Sequence, residues 1–129
     1  VVPHTVVAGA PFCIGGDLEI TPIEVIHGRL PVMAYRFNDF AYATDLSEIP
    51  VQSIEALQGL DALVLDCLRF AKHPTHLWVE KALEYIERIK PKRTFLTHIA
   101  HDVLYARDSA KLPDGVQWAY DGLTITNEK

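Results

Sequence analysis

The sequence lacks any apolar run near the ~20 residues needed to span a bilayer, so a membrane partner is not expected. Positive charge is also scarce: 12 Lys and Arg stand against 17 Asp and Glu, a net charge of −5. That balance, with no interleaved basic and aromatic cluster, makes nucleic acid an unlikely principal partner. Cysteine is limited to Cys13 and Cys67, both in apolar stretches. They are read as buried, reduced thiols of a cytoplasmic protein. The start, Val1-Val2-Pro3-His4, has neither an initiator Met nor a basic leader. A fragment or a processed chain is therefore expected. No internal repeat, low-complexity segment or linker interrupts the 129 residues, and a single domain of that length buries its own core.

The rest of the chain is β-rich first and mixed later. Strands are expected at Thr5–Ala8 and between Leu18 and Ile26, with Gly15-Gly16-Asp17 as a turn. A hairpin follows, Val32–Phe37 and Phe40–Thr44 around Asn38-Asp39. Pro50 opens a helix that Gly59 closes, and Ala62–Leu65 reads as a buried strand. Apolar Val79, Ala82, Leu83, Ile86 and Ile89 recur at helical spacing, so Leu77–Ile89 is expected to be the main helix, ended by Pro91. Arg93–Thr97, a short helix over 103–111, and strands at Val116–Ala119 and Leu123–Thr126 complete the reading. The fold class is α/β of the α+β type, a mixed sheet with helices on one face.

Three potential ligands sit at strand ends, where loops gather side chains that are distant in sequence. They are His27 after Glu24-Val25-Ile26, Asp45 after Phe40–Thr44, and His98 after Arg93–Thr97. Imidazole with carboxylate suits Zn²⁺, Mn²⁺ or Fe²⁺. Read singly, Asp45 is more often a turn or cap residue than a ligand, and each histidine more often a hydrogen-bonded structural one. His73-Pro74-Thr75-His76 also reads as a polar loop capped by Thr75.

Three segments go further: Ile26-His27-Gly28-Arg29-Leu30-Pro31, Ala41-Tyr42-Ala43-Thr44-Asp45 and Leu96-Thr97-His98-Ile99-Ala100-His101-Asp102. They resemble the later motifs of the metallo-β-lactamase superfamily. With His73-Pro74-Thr75-His76 and Ala119-Tyr120-Asp121-Gly122-Leu123, the likeness is to its phosphoribosyl 1,2-cyclic phosphate phosphodiesterase-like branch. The resemblance implies the C-terminal half of an αββα sandwich and a dinuclear Zn or Mn site. His27 and His98 would each serve one metal, and Asp45 would bridge both. His76 would be the catalytic histidine, protonating the leaving oxygen. Asp66 and His101 would orient ligands or phosphate, while Arg69 reads as a surface residue.

The early His-x-His-x-Asp-His motif of that family does not occur. The N-terminal half of the fold is therefore expected outside these residues, and the fragment by itself is expected to be inactive. The implied activity is hydrolysis of a small-molecule cyclic phosphate diester. The alternatives are a non-catalytic domain with an incomplete metal site, or hydrolysis of RNA 3′ ends or thioesters. An uncovered sheet face predicts self-association.

Overall fold

The computed structural model describes residues 1–126. Chain order is β1 (Phe12–Ile14), β2 (Leu18–His27), β3 (Leu30–Phe37), β4 (Phe40–Ala43), α1 (Val51–Ala56), β5 (Ala62–Asp66), α2 (Val79–Ile89), β6 (Arg93–Thr97), α3 (Tyr105–Asp108) and β7 (Val116–Trp118). A 3-10 turn, Ser109–Lys111, extends α3. Among the described residues the seven strands form one mixed sheet in sequence order. Strands β1 to β4 make an antiparallel meander. Strands β4 to β7 run parallel, each pair joined through a helix.

Side-chain alternation sorts the sheet into two faces. Ile23, Val25, Ala34, Ala41, Ala43, Leu63, Leu65 and Leu96 pack with Ile54, Leu57, Val79, Ala82, Tyr85 and Ile89 in the main core. Residues of opposite parity, Ala62, Val64 and Phe95, form a smaller cluster. Phe40, Ala119, Leu123 and Ile125 cover that cluster, and among the described residues no helix does. The expected mixed sheet with helices on one face is therefore present.

Local differences have local causes. Helix α2 starts at Val79, not Leu77, because the preceding backbone is committed elsewhere. The Leu77 N–H donates to the Leu46 carbonyl, the Leu77 carbonyl accepts from Leu68, and the Val79 N–H donates to Arg69. Thr75 does not cap α2, whose N-cap is Trp78 with no side-chain hydrogen bond. Lys90 in the left-handed region, followed by Pro91, ends the helix. Thr5–Ala8 forms no strand: pairing of β2 with β1 begins only at Phe12. Leu123–Thr126 is not a strand either; its alternating apolar residues pack on the sheet face without joining the ladder. Cys67 is buried as expected, but Cys13 is exposed, because β1 is an edge strand with little packed over it. Among the described residues, no helix is long and apolar enough to cross a membrane.

Near the C-terminal end, the Asp108 carboxylate accepts from the Leu104 N–H and meets Arg107 and Lys111. The hydrogen bonds from Arg107, then Lys111, hold it well below the usual carboxylate range. This cluster clamps α3, at only four residues too short to stand by itself.

Candidate metal centre

Strands β2, β4, β5 and β6 all point the same way, because two antiparallel steps separate β2 from β4 and the later pairs are parallel. Their C-terminal ends therefore lie along one edge. His27 ends β2, Asp45 follows β4, Asp66 ends β5 and His98 follows β6. His76 comes from the loop between β5 and α2. Ring centroids of His76 lie 4.4 Å from His98, 4.9 Å from His27 and 5.2 Å from His73.

The backbone accepts strain to aim these groups. Asp45 has φ 58° and His98 has φ 63°, left-handed conformations that β-carbons disfavour. Such residues cluster where function demands a fixed side-chain direction, at a cost of roughly 1–3 kcal/mol each. Here they bring His98 Nε2 to 3.1 Å from an Asp45 carboxylate oxygen.

Ring orientation is set by neighbours. His27 Nδ1 lies 2.8 Å from the Thr75 carbonyl oxygen. A carbonyl only accepts, so Nδ1 carries the proton and Nε2 presents its lone pair. The turn that follows is equally specified. Gly28 has φ +65°, and a β-carbon there would stand 3.2 Å from Thr75 Cγ2. Its N–H donates to the Ser47 hydroxyl, which donates to the Ile26 carbonyl.

Asp66 is fully buried behind the cluster. One carboxylate oxygen accepts from the Asp45 N–H at 3.0 Å and faces His76 Nδ1 at 3.3 Å; the other accepts from the Leu77 N–H at 3.0 Å. One side chain thus ties the loops after β4 and β5 together. Burial raises the Asp66 pKa, opposed chiefly by the adjacent His76. Burial also lowers the His73 pKa, and the positive potential of His76 and Arg69 adds to it. Next along the chain, burial and then the Asp66 charge push the Cys67 thiol up to about 12.

Two groups have ligand atoms close enough for one ion, within 4.8 Å of one another: His27, Asp45 and His76, and Asp66, His76 and His98. Mixed imidazole and carboxylate donors, with His27 Nε2 directed by its neighbour, fit a divalent transition metal. The three strand-end residues singled out in the sequence, and His76 from its loop, converge. His76 belongs to both groups, so its geometry also allows ligation. His101 is exposed beyond β6 and joins neither group. Arg69 folds back on its own loop, donating to the Ala71 and Lys72 carbonyls. Sequence reasoning missed Thr75 as the orienting acceptor and Ser47 as the brace. Thr75 acts through a main-chain carbonyl, which leaves no sequence signal.

A family model described as a beta-lactamase superfamily domain matches residues 1–99, and the chain belongs to that superfamily. The fold is that of the metallo-β-lactamase-fold hydrolase family. A solved structure described as a new diphosphatase from the PhnP family is 42% identical, with a TM-score of 0.86, over 91% of this chain and 46% of that one. Zn²⁺-bound PqqB from Methylobacterium extorquens, 19% identical with a TM-score of 0.71 over 96% and 52% of the two chains, shares the fold. In sequence, an octanoyltransferase from Porphyromonas gingivalis is 34% identical over 122 residues, which are 92% of this chain and 25% of that protein. The chain thus spans about half the length of these structures and a quarter of that relative.

Proposed function

We propose that these residues form one wall of a dinuclear, metal-dependent phosphodiesterase site that opens a cyclic phosphate diester of a small molecule. The observation that carries the reading is His76, 12% exposed, backed by buried Asp66 and stacked on His98 in the middle of the histidine cluster. His27 and His98 would each hold one ion, and Asp45 would bridge them. Bound divalent metal would supply Lewis acidity and a water of lowered pKa. The chain's own residues do the rest. Asp66 fixes the His76 ring through Nδ1, leaving Nε2 toward the substrate. Water oxygen forms the new bond to phosphorus, and the ester P–O bond opposite it breaks. Protonated His76 gives its Nε2 proton to the departing oxygen, which becomes a hydroxyl still tethered through the second ester bond, while the proton given up by the water passes to solvent.

The similarity to a PhnP-family diphosphatase supports phosphoester chemistry. The name octanoyltransferase belongs to a much longer protein, of which this chain covers 25%, and acyl transfer is not carried over to this chain. Thioester hydrolysis would leave the Asp66–His76 pair without a task. RNA 3′-end processing would leave the net charge of −5 working against the substrate. Zn²⁺ or Mn²⁺ fits the donor set, and the cytoplasm fits two unpaired cysteines.

A second reading has one specific support: His76 lies in both candidate ligand groups. Replacing His76 with Ala separates the two. If His76 is the acid, metal content by mass spectrometry stays constant while whatever turnover of a cyclic alkyl phosphate diester the wild-type chain shows falls by about 10²–10⁴-fold. Loss of bound metal in the variant would make His76 a ligand instead. A wild-type chain with bound metal below one ion and no turnover would leave a non-catalytic domain.

A further inference from the structure

We propose that His73 is a further substrate-binding residue of this site, its neutral ring donating a hydrogen bond from Nε2–H to a non-bridging oxygen of the phosphoryl group. This rests on the phosphodiester reading above and adds how the loop between β5 and α2 holds the phosphate.

The loop keeps His73 in place. Its neck is closed where the Leu68 N–H donates to the Leu77 carbonyl and the Val79 N–H to the Arg69 carbonyl, both at 2.9 Å. Inside the loop the Thr75 N–H donates to His73 Nδ1 at 3.2 Å, and Thr75 Oγ1 lies 3.3 Å from the same nitrogen. A backbone N–H only donates, so Nδ1 keeps its lone pair and the proton of the neutral ring sits on Nε2. The ring centroid stands 5.2 Å from that of His76.

Thr75 therefore sets two histidines in opposite tautomers. Its carbonyl accepts from His27 Nδ1 and leaves Nε2 there bare, as a metal ligand requires. Its N–H engages His73 Nδ1 and leaves Nε2 protonated, a donor that takes no metal through that atom. In keeping with that, His73 belongs to neither group of prospective ligands, although it neighbours His76, which belongs to both.

The donor is also uncommitted. Among the described residues no protein group accepts from His73 Nε2, and that nitrogen is not sealed from solvent. The cations of the same loop are turned back on it. Arg69 donates to the Ala71 and Lys72 carbonyls, and Lys72 Nζ lies 5.9 Å from the Trp78 ring centroid. A half-buried N–H beside the acid needs an acceptor once bound substrate displaces its water. The departing oxygen faces His76 Nε2, so the acceptor left for His73 is a non-bridging phosphoryl oxygen. A neutral donor meets that anionic oxygen without setting a second positive charge beside protonated His76.

The test uses the full 129-residue chain at pH 8, where an ordinary histidine, with a pKa of about 6.5, is neutral. In the metal-free chain, long-range ¹H–¹⁵N correlation spectra should show His73 with a bare Nδ1 and a protonated Nε2; the reverse tautomer overturns the proposal. Calorimetric titration of the Zn²⁺-loaded chain with methylphosphonate then reads the hydrogen bond. His73→Asn keeps a side-chain acceptor for the Thr75 N–H but removes the outer donor. It should weaken methylphosphonate binding by about tenfold to hundredfold, the worth of a hydrogen bond to a charged group, with zinc content unchanged. His73→Gln sets an amide N–H near the Nε2 position and should bind like wild type. If His73 only braces its loop, the pattern inverts: the Asn variant binds fully and the Gln variant loses binding. That inversion, or the same affinity in both variants, overturns the role of His73 alone. A wild-type chain that binds no methylphosphonate overturns the phosphodiester reading and this role with it.

Discussion

Replacing Asp66 with Asn tests whether one buried carboxylate organises the site. Asn is nearly isosteric, so packing is kept and only hydrogen bonding and charge change. Its amide oxygen satisfies the Asp45 N–H and His76, as the present oxygen does. Its NH₂ then faces the Leu77 N–H, donor against donor. Leu77 keeps its second acceptor, the Leu46 carbonyl at 3.0 Å, so the loss is one buried unsatisfied donor and not two. That costs about 1–3 kcal/mol. For a domain of this size the melting temperature falls by about 3–5 °C per kcal/mol.

The pH dependence has a definite sign. Burial raises the folded-state pKa of Asp66 above 3.8, so the folded chain takes up this proton before the unfolded chain does. The stabilisation from this group is complete below the unfolded value and is lost as pH rises through the folded one. The deficit of the Asn variant should therefore widen as pH drops from neutral toward 4. Circular dichroism melts of both proteins in EDTA, at several pH values, measure it without metal. Melting temperatures within 1 °C of each other at every pH, or a deficit that shrinks on acidification, would refute the argument.

Gly28→Ala puts a β-carbon at φ +65° and 3.2 Å from Thr75 Cγ2, in the turn that carries His27. It should cost about 1–3 kcal/mol and weaken metal binding measurably, read by denaturant melts and by competition with a chelator. The two cysteines should differ sharply toward iodoacetamide at pH 8: exposed Cys13 labels rapidly, whereas Cys67, buried with its pKa pushed up to about 12, labels only on unfolding. Peptide mapping after a timed pulse distinguishes them. The sheet face opposite the helices carries Tyr42, 43% exposed, beside partly covered Phe37 and Phe40. Light scattering at micromolar concentration should find self-association, and a clean monomer would count against it.

Much of the fold was legible because helical and strand periodicities were strong. The burial pattern of Ala62–Asp66 and the stripe Val79, Ala82, Ile86, Ile89 are local properties. Expectation failed where pairing is decided at a distance. Thr5–Ala8 and Leu123–Thr126 have strand-like residues, yet a strand exists only if a neighbour offers its backbone. The start of α2 moved because residues 77–79 bond to Leu46, Leu68 and Arg69, partners that no local pattern encodes.

The candidate site divides the same way. The sequence by itself determined which groups could do metal and acid–base chemistry, since His27, Asp45, His76 and His98 carry it in their side chains, three of them at strand ends and His76 just before the main helix. Only the tertiary structure decided that they meet. Parallel alignment of β2, β4, β5 and β6 puts those ends on one edge, and left-handed Asp45 and His98 turn their side chains toward each other. It also assigned Thr75 and Asp66 their tasks, because a carbonyl or a buried carboxylate acquires a role only from what the fold places against it.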